Sequence, residues 1–196
     1  LDKKKNNFLK EFFKERKTVG AIRPSSESLA KKMLKNVNFK NSDVIVEFGP
    51  GTGVFTRRII EEMNPNASLY IFELHSPFYV KLQKEFENDE RIHVINDSAA
   101  NVRKYLKADG KEFADVIISS LPLTNFDQKL TMRILKSAEI ALKPEGKYIQ
   151  FQYSLNARKL LIKIFSSISI QFTANNLPPA FVYTCKKISL ISQTSL

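Results

Sequence analysis

The chain of 196 residues has no tryptophan, one cysteine, two histidines and six glycines. The single Cys185 excludes an internal disulfide and a cysteine-based zinc site. Two separated histidines, His75 and His93, and one cysteine make no metal site at a recognised spacing, and no metal is expected. No apolar stretch approaches the roughly 20 residues of a membrane-spanning helix. The opening stretch LDKKKNNFLKEFFKERK lacks the apolar core of a secretory signal, so a cytoplasmic setting is expected. It begins on Leu1 rather than Met, which leaves room for residues upstream. Acids are scarce: 20 Asp and Glu stand against 31 Lys and Arg, a formal charge of +11. That excess draws a protein toward polyanions, either an anionic membrane surface or nucleic acid, and does not choose between them. A hydrophobic fraction of 43% argues against disorder, and the length suits one domain with its own core.

What is present is organised. Phe8, Leu9, Phe12 and Phe13 share one helical face, with Lys10, Lys14 and Lys17 away from it. Residues 1–23 hold eight Lys and Arg against three acids. Such a helix would lie in a membrane interface, and the same apolar face would serve equally to cover a core. Pro24 ends it. Ser25 or Ser26 then caps a second helix with Leu29, Ala30, Met33, Leu34 and Val37 as its apolar positions. Residues 1–40 are thus expected as amphipathic helices belonging to the domain formed by 41–196.

After NSD the texture changes. VIVEF, SLYIFEL, RIHVIN, ADVIISS and KYIQFQYS read as strands. GVFTRRIIEEM, SPFYVKLQKEF, AANVRKYLK, FDQKLTMRILKSAEIAL and ARKLLIKIF read as helices, and PEG as a turn. ISIQFTAN and AFVYTCKKI follow as two consecutive strands. Strands alternating with helices predict an α/β fold: a Rossmann-like, seven-stranded, mostly parallel sheet with helices on both faces and an antiparallel last strand.

In such a sheet the ligand sits at the carboxyl ends of the strands. The first strand runs into Glu47-Phe48-Gly49-Pro50-Gly51-Thr52-Gly53. Glycines permit left-handed backbone and close approach of a ligand. The pattern is G-x-G-x-G rather than the dinucleotide G-x-G-x-x-G. An acid just before it would repel a pyrophosphate but suits an ammonium or sulfonium. Glu73, 20 residues past Gly53, stands where a carboxylate accepts ribose hydroxyls. Asp97 ends the third strand, where a side chain meets an adenine edge.

These residues resemble the class I S-adenosylmethionine-dependent methyltransferases over about residues 43–185. The resemblance implies S-adenosyl-L-methionine as cofactor, with Glu47, Gly49, Pro50, Gly51, Thr52 and Gly53 along its methionine and ribose. It puts Glu73 and Leu74 at the ribose, Asp97 and Ser98 at the adenine, and Ser120 and Leu121 closing the pocket.

The acceptor is read from the end of the fourth strand. Adenine-methylating enzymes resemble this chain around the glycine loop, but there carry an Asn/Asp-Pro-Pro-aromatic motif that holds and stacks a flipped base. Here the place reads Ser119-Ser120-Leu121-Pro122-Leu123, with no amide, carboxylate or ring. The Gln-Asn-Phe signature of ribosomal adenine dimethylases is missing as well. VGAIRPSSESLAKKM, SSLPL, QFQYS and NLPPAFVY are instead similar to the bacterial phospholipid N-methyltransferases. That resemblance implies methylation of the amine of phosphatidylethanolamine or a related lipid by a peripheral enzyme on the inner face of the membrane. Tyr153 would then bond the amine or face the cation that forms. Pro122, Tyr183 and Arg23 would border the headgroup, Arg23 through its planar fork, while Asn176 would shape the loop before LPPA. Tyr183 and Arg23 suit ordinary structural roles too. The rival readings are an RNA adenine methyltransferase and a non-catalytic membrane- or RNA-binding protein on the same fold.

Overall fold

A computed structural model describes residues 27–174 and 178–187. The proposed N-terminal anchor, Arg23 and Asn176 lie outside the described residues. Strands β1 (Val44–Phe48), β2 (Ser68–Phe72), β3 (Ile92–Ile95), β4 (Ala114–Ser119), β5 (Leu142–Gln152), β6 (Ser167–Thr173) and β7 (Ala180–Lys186) form one sheet in the order β3-β2-β1-β4-β5-β7-β6. The pairs β1·β2, β1·β4, β2·β3 and β4·β5 are parallel, and β7 is antiparallel to both β5 and β6. The last strand therefore inserts between β5 and β6. This leaves β6 as the edge, an order that reading along the chain does not give.

Helices α1 (Glu27–Leu34), α2 (Val54–Glu62), α3 (Ser76–Glu85), α4 (Val102–Ala108), α5 (Gln128–Ala141) and α6 (Arg158–Leu161) flank the sheet. One core joins Leu29, Met33 and Leu34 of α1 and Phe55 and Ile59 of α2 to Ile45, Ile71, Ile118 and Ile149. The other packs Ile134, Leu135 and Ala138 of α5 and Val102 and Leu106 of α4 on Val46, Phe48, Ile117 and Tyr148. Central strands are buried on both faces, and every residue of β1, the acid Glu47 included, is buried. The position of Leu34 and its neighbours makes α1 part of the domain core.

Two elements differ from the sequence reading. PEG does not end a strand: β5 runs through it as a bulge, and its register against β4 shifts between Ala114 and Val116. Glu145 takes a left-handed φ of 60° there, and a Cβ on Gly146 would lie 2.8 Å from the Lys143 carbonyl oxygen. The helix expected over 157–165 is shorter. A 3₁₀ turn, Leu155–Ala157, leads into α6, and looser turns follow to Phe165. Three of its nine residues, Ile162, Ile164 and Phe165, are β-branched or aromatic and cluster at its end, which weakens a continuous helix there.

Leu135→Ala is expected to cost about 2–5 kcal/mol in urea unfolding, since it opens a cavity at a fully buried position between α5 and the sheet.

Candidate functional site

The carboxyl ends of β1, β2, β3, β4 and β5 bring the sequence candidates to one edge, at the switch in strand order between β1 and β4. The loop after β1 is built by glycine. Gly49, Gly51 and Gly53 have φ of 66°, 57° and 82°. A Cβ at Gly49 would stand 2.8 Å from Leu121 Cδ2, so the glycine lets the loops after β1 and β4 touch. At Gly51 a Cβ would meet nothing within 4 Å, so this glycine faces open space. Gly53 caps α2, and Arg57 of that helix holds the Thr52 carbonyl at 3.1 Å and pairs with Glu85. Pro50 is buried and Thr52 half-buried within the loop.

Glu47 is the anomaly of the site. Its side chain is fully buried on a central strand. Oε2 accepts a 2.6 Å hydrogen bond from the Thr56 hydroxyl, while Oε1 has no partner among the described residues. Burial, with the nearby Glu73 adding to it, pushes its pKa up to about 8 despite the Thr56 bond. Glu73, also buried, ties the site together. Its Oε2 accepts from the Gly51 amide at 3.0 Å and its Oε1 from the His75 amide at 2.8 Å. Burial raises its pKa, against the pull of these bonds. Leu74 beside it is exposed.

Asp97 sits at the end of β3 with both oxygens engaged by its own loop. Oδ1 accepts from the Ser98 amide at 2.6 Å and Oδ2 from the Tyr105 hydroxyl at 2.9 Å, and Asn101 reaches both at 3.0 Å. These bonds outweigh its partial burial and lower its pKa. Ser98 caps the following turn through the Ala100 amide. Asp97 is thus an organiser of the β3 loop whose oxygens are already shared.

Across the switch, Ser120 presents a buried hydroxyl with no partner among the described residues. Leu121 follows, and its carbonyl is the feature that sequence reading missed. Gln150 Nε2 donates to it at 3.0 Å and Gln152 Nε2 at 2.9 Å. Both glutamines are buried on β5, and Gln150 Oε1 accepts from the Tyr148 hydroxyl at 2.8 Å. The signal was visible as two glutamines at i and i+2 in an otherwise apolar strand, where one face must hold two amides. Both lone pairs of the Leu121 carbonyl are thereby used. Pro122 is half-buried behind it.

Two expectations on the acceptor side are corrected or refined. Tyr183 is fully buried rather than at the rim, because β7 lies inside the sheet; its hydroxyl donates to the Ser154 carbonyl at 3.1 Å. Tyr153 does reach the edge, exposed, with its ring edge-on to Phe151 at 5.6 Å. His93 is half-buried and stacked on Tyr70 at 4.5 Å, away from this edge, rather than a plainly exposed strand residue. His75 caps α3 through its backbone. Among the described residues no group of His, Cys, Asp and Glu could hold a metal.

The group that such a site must fit is S-adenosylmethionine, and the residues present fit it. An unpartnered oxygen of a buried carboxyl, an open glycine and a second buried carboxyl suit a ligand carrying a cation and hydroxyls.

Glu47 titrates high when folded, so its contribution to stability is full below about pH 4.5 and lost as pH rises through about 8. Glu47→Gln is expected to match the wild-type Tm near pH 5 and exceed it increasingly up to pH 8, measured without cofactor. Gln150→Leu should cost about 1–3 kcal/mol in urea unfolding, because it strips partners from the Tyr148 hydroxyl and the Leu121 carbonyl.

Comparison with known proteins gives the family and the fold. Residues 12–167 match the family described as ribosomal RNA adenine dimethylase. An ornithine lipid N-methyltransferase of Singulisphaera acidiphila is 28% identical over 92% of this chain and 95% of its own length. A ribosomal RNA small subunit methyltransferase A of Malacoplasma penetrans is 28% identical over 72% of this chain, which spans half of that relative. Among solved structures, the N-methyltransferase NodS of Bradyrhizobium japonicum in complex with S-adenosyl-L-homocysteine superposes with a TM-score of 0.65. It covers 86% of this chain and 90% of its own at 11% identity, a likeness of fold. The chain is therefore an S-adenosylmethionine-dependent methyltransferase, and it belongs to the ribosomal RNA adenine dimethylase family.

Proposed function

We propose that this methyltransferase acts on the amine of a membrane lipid headgroup, of the phosphatidylethanolamine or ornithine-lipid kind. The observation that carries the proposal is the Leu121 carbonyl. In an adenine site, the backbone at this place is expected to hold the exocyclic amine. Here both lone pairs are taken by Gln150 and Gln152. The sequence Ser119-Ser120-Leu121-Pro122-Leu123 also offers neither a side-chain amide nor a stacking ring. A base would lose its usual holders, whereas a small aliphatic amine needs only placement. The lipid-methylating relative, aligned over nearly its whole length, supports the same reading.

In this reading the loop Gly49, Pro50, Gly51, Thr52 and Gly53 and the Glu47 carboxyl hold the amino-acid part of the cofactor. Glu73 and Leu74 hold the ribose, Asp97 and Ser98 border the adenine, and Ser120 and Leu121 close the pocket. S-adenosylmethionine supplies a methyl group already activated by its sulfonium. The protein's task is then to place a neutral amine in line with it and to exclude water. Desolvation at the edge lowers the pKa of the lipid ammonium and favours its neutral form, so no strong side-chain base is required. Tyr153 is placed to bond that amine through its hydroxyl and to offer its ring to the positive charge that forms. Pro122 lines the approach, and Arg23 is assigned to the headgroup phosphate. Among the described residues no helix is long and apolar enough to cross a membrane.

The rRNA reading has in its favour the family match and the relatives that are ribosomal RNA small subunit methyltransferases. Methyl-labelled cofactor offered with phosphatidylethanolamine vesicles, ornithine-lipid vesicles and unmodified rRNA separates the two. Label is expected in lipid; label confined to RNA overturns the proposal. Glu73→Ala should weaken cofactor binding about tenfold or more by calorimetry, through lost hydrogen bonds to a charged group. Tyr153→Phe should lower kcat on lipid while leaving cofactor affinity unchanged.

A further inference from the structure

The turn after β5 carries a surface that the methyl-transfer site does not use. Exposed Leu155, Arg158, Lys159, Ile162 and Lys163 fall at i, i+3, i+4, i+7 and i+8, one face of the helical turns running from Leu155 to Phe165. Leu155 is 48% exposed and Ile162 50%. The opposite face is anchored: Ala157, Leu161 and Phe165 are buried, and Phe165 stacks on Tyr148 at 5.2 Å. The Tyr183 hydroxyl holds the entry to the turn at Ser154. A rigid platform thus shows solvent two aliphatic side chains among three cations.

Charge completes the pattern. From Gly146 to Leu196 the sequence contains six Lys and Arg and no Asp or Glu. No acid of that whole stretch can neutralise the face locally. The platform begins two residues after Tyr153, and on the same side of the sheet Phe172, 53% exposed, meets Phe181 at 5.3 Å. The carboxyl edge that holds the candidate site is therefore flanked by exposed apolar groups and cations.

We infer that the outer face of the Leu155–Phe165 turns docks on an anionic bilayer, with Leu155 and Ile162 entering the acyl boundary and Arg158, Lys159 and Lys163 at the phosphates. Aliphatic side chains gain from hydrocarbon and nothing from a nucleic acid backbone, which favours a membrane over RNA. Lys and Arg stems can lie along the apolar zone while their heads stay at the phosphates. The turns run from the carboxyl end of β5 back to the start of β6, so the Leu155 end of this face is the part that borders the candidate site and Tyr153. The inference rests on the lipid reading for its purpose but not for its evidence.

The test is co-sedimentation of the full chain with vesicles of equal parts phosphatidylglycerol and phosphatidylcholine, and with phosphatidylcholine alone. Two variants are compared, Leu155→Asn/Ile162→Asn and Arg158→Gln/Lys159→Gln/Lys163→Gln, each checked for unchanged Tm and cofactor binding. Each is expected to lose about tenfold or more in affinity for the anionic vesicles. Methylation of a short-chain, water-dispersed aminolipid should be unchanged in both. Unaltered vesicle binding in both variants overturns the inference. So does a result in which the cation variant loses vesicles and rRNA equally while the Leu155/Ile162 variant loses nothing. If no aminolipid is methylated yet vesicle binding still falls in both variants, the headgroup reading fails and the docking face stands.

Discussion

A carboxyl group with one oxygen unpartnered, at the end of a central strand covered on both faces, is the constraint around which this molecule is arranged. Burying such a group is costly unless something compensates it, and inside the described structure the compensation is a single hydrogen bond from Thr56. The protein meets the remainder by keeping the group protonated near neutral pH. A cation delivered by a ligand would release that proton and ionise the group in place. The cost carried by the free protein and the proposed use of the site are then two sides of one interaction. The glycines around it follow from the same need. Backbone that stays thin at Gly49 admits the β4 loop, and backbone that stays open at Gly51 leaves room above the carboxyl.

The second determinant lies across the strand switch. Leu121 touches the glycine loop with its side chain and receives two glutamine amides on its carbonyl. One residue thus joins the loop after β1 to strand β5, through packing in one direction and hydrogen bonds in the other. The family to which the chain belongs is described by a nucleic acid substrate. This chain keeps that frame, and its fourth strand ends in Ser119-Ser120-Leu121-Pro122-Leu123, without a side-chain amide or a stacking ring. Function is set by such groups at the strand ends rather than by the sheet itself.

Much of this was legible in the sequence. Short runs that are apolar but for one acid, such as VIVEF, betrayed strands buried on both faces, and alternation of strand with helix gave the layers. The acid, glycines and distant second acid were legible as neighbours at the carboxyl edge of the sheet, because strand ends and loop glycines are set by local chemistry. Other features depend on tertiary context. The insertion of β7 between β5 and β6 turned Tyr183 from a rim candidate into a core residue, since strand order is not written along the chain. The bulge at Glu145 and Gly146 was masked because PEG is turn chemistry wherever it occurs. The engagement of Asp97 by Asn101 and Tyr105 appears only once the following turn and α4 fold back on the β3 loop. The Gln150 and Gln152 pair was visible as an oddity; its partner, a backbone carbonyl about thirty residues away, was not.

The most direct test of this account is the titration of the Glu47 carboxyl by NMR, assigned with Glu47→Gln, in the free protein and with saturating S-adenosylmethionine. Titration near pH 8 in the free protein, falling by more than a unit with cofactor, is the predicted result. An ordinary carboxyl titration in the free protein, or one that cofactor leaves unmoved, would contradict the claim that this buried acid is held ready for a cation.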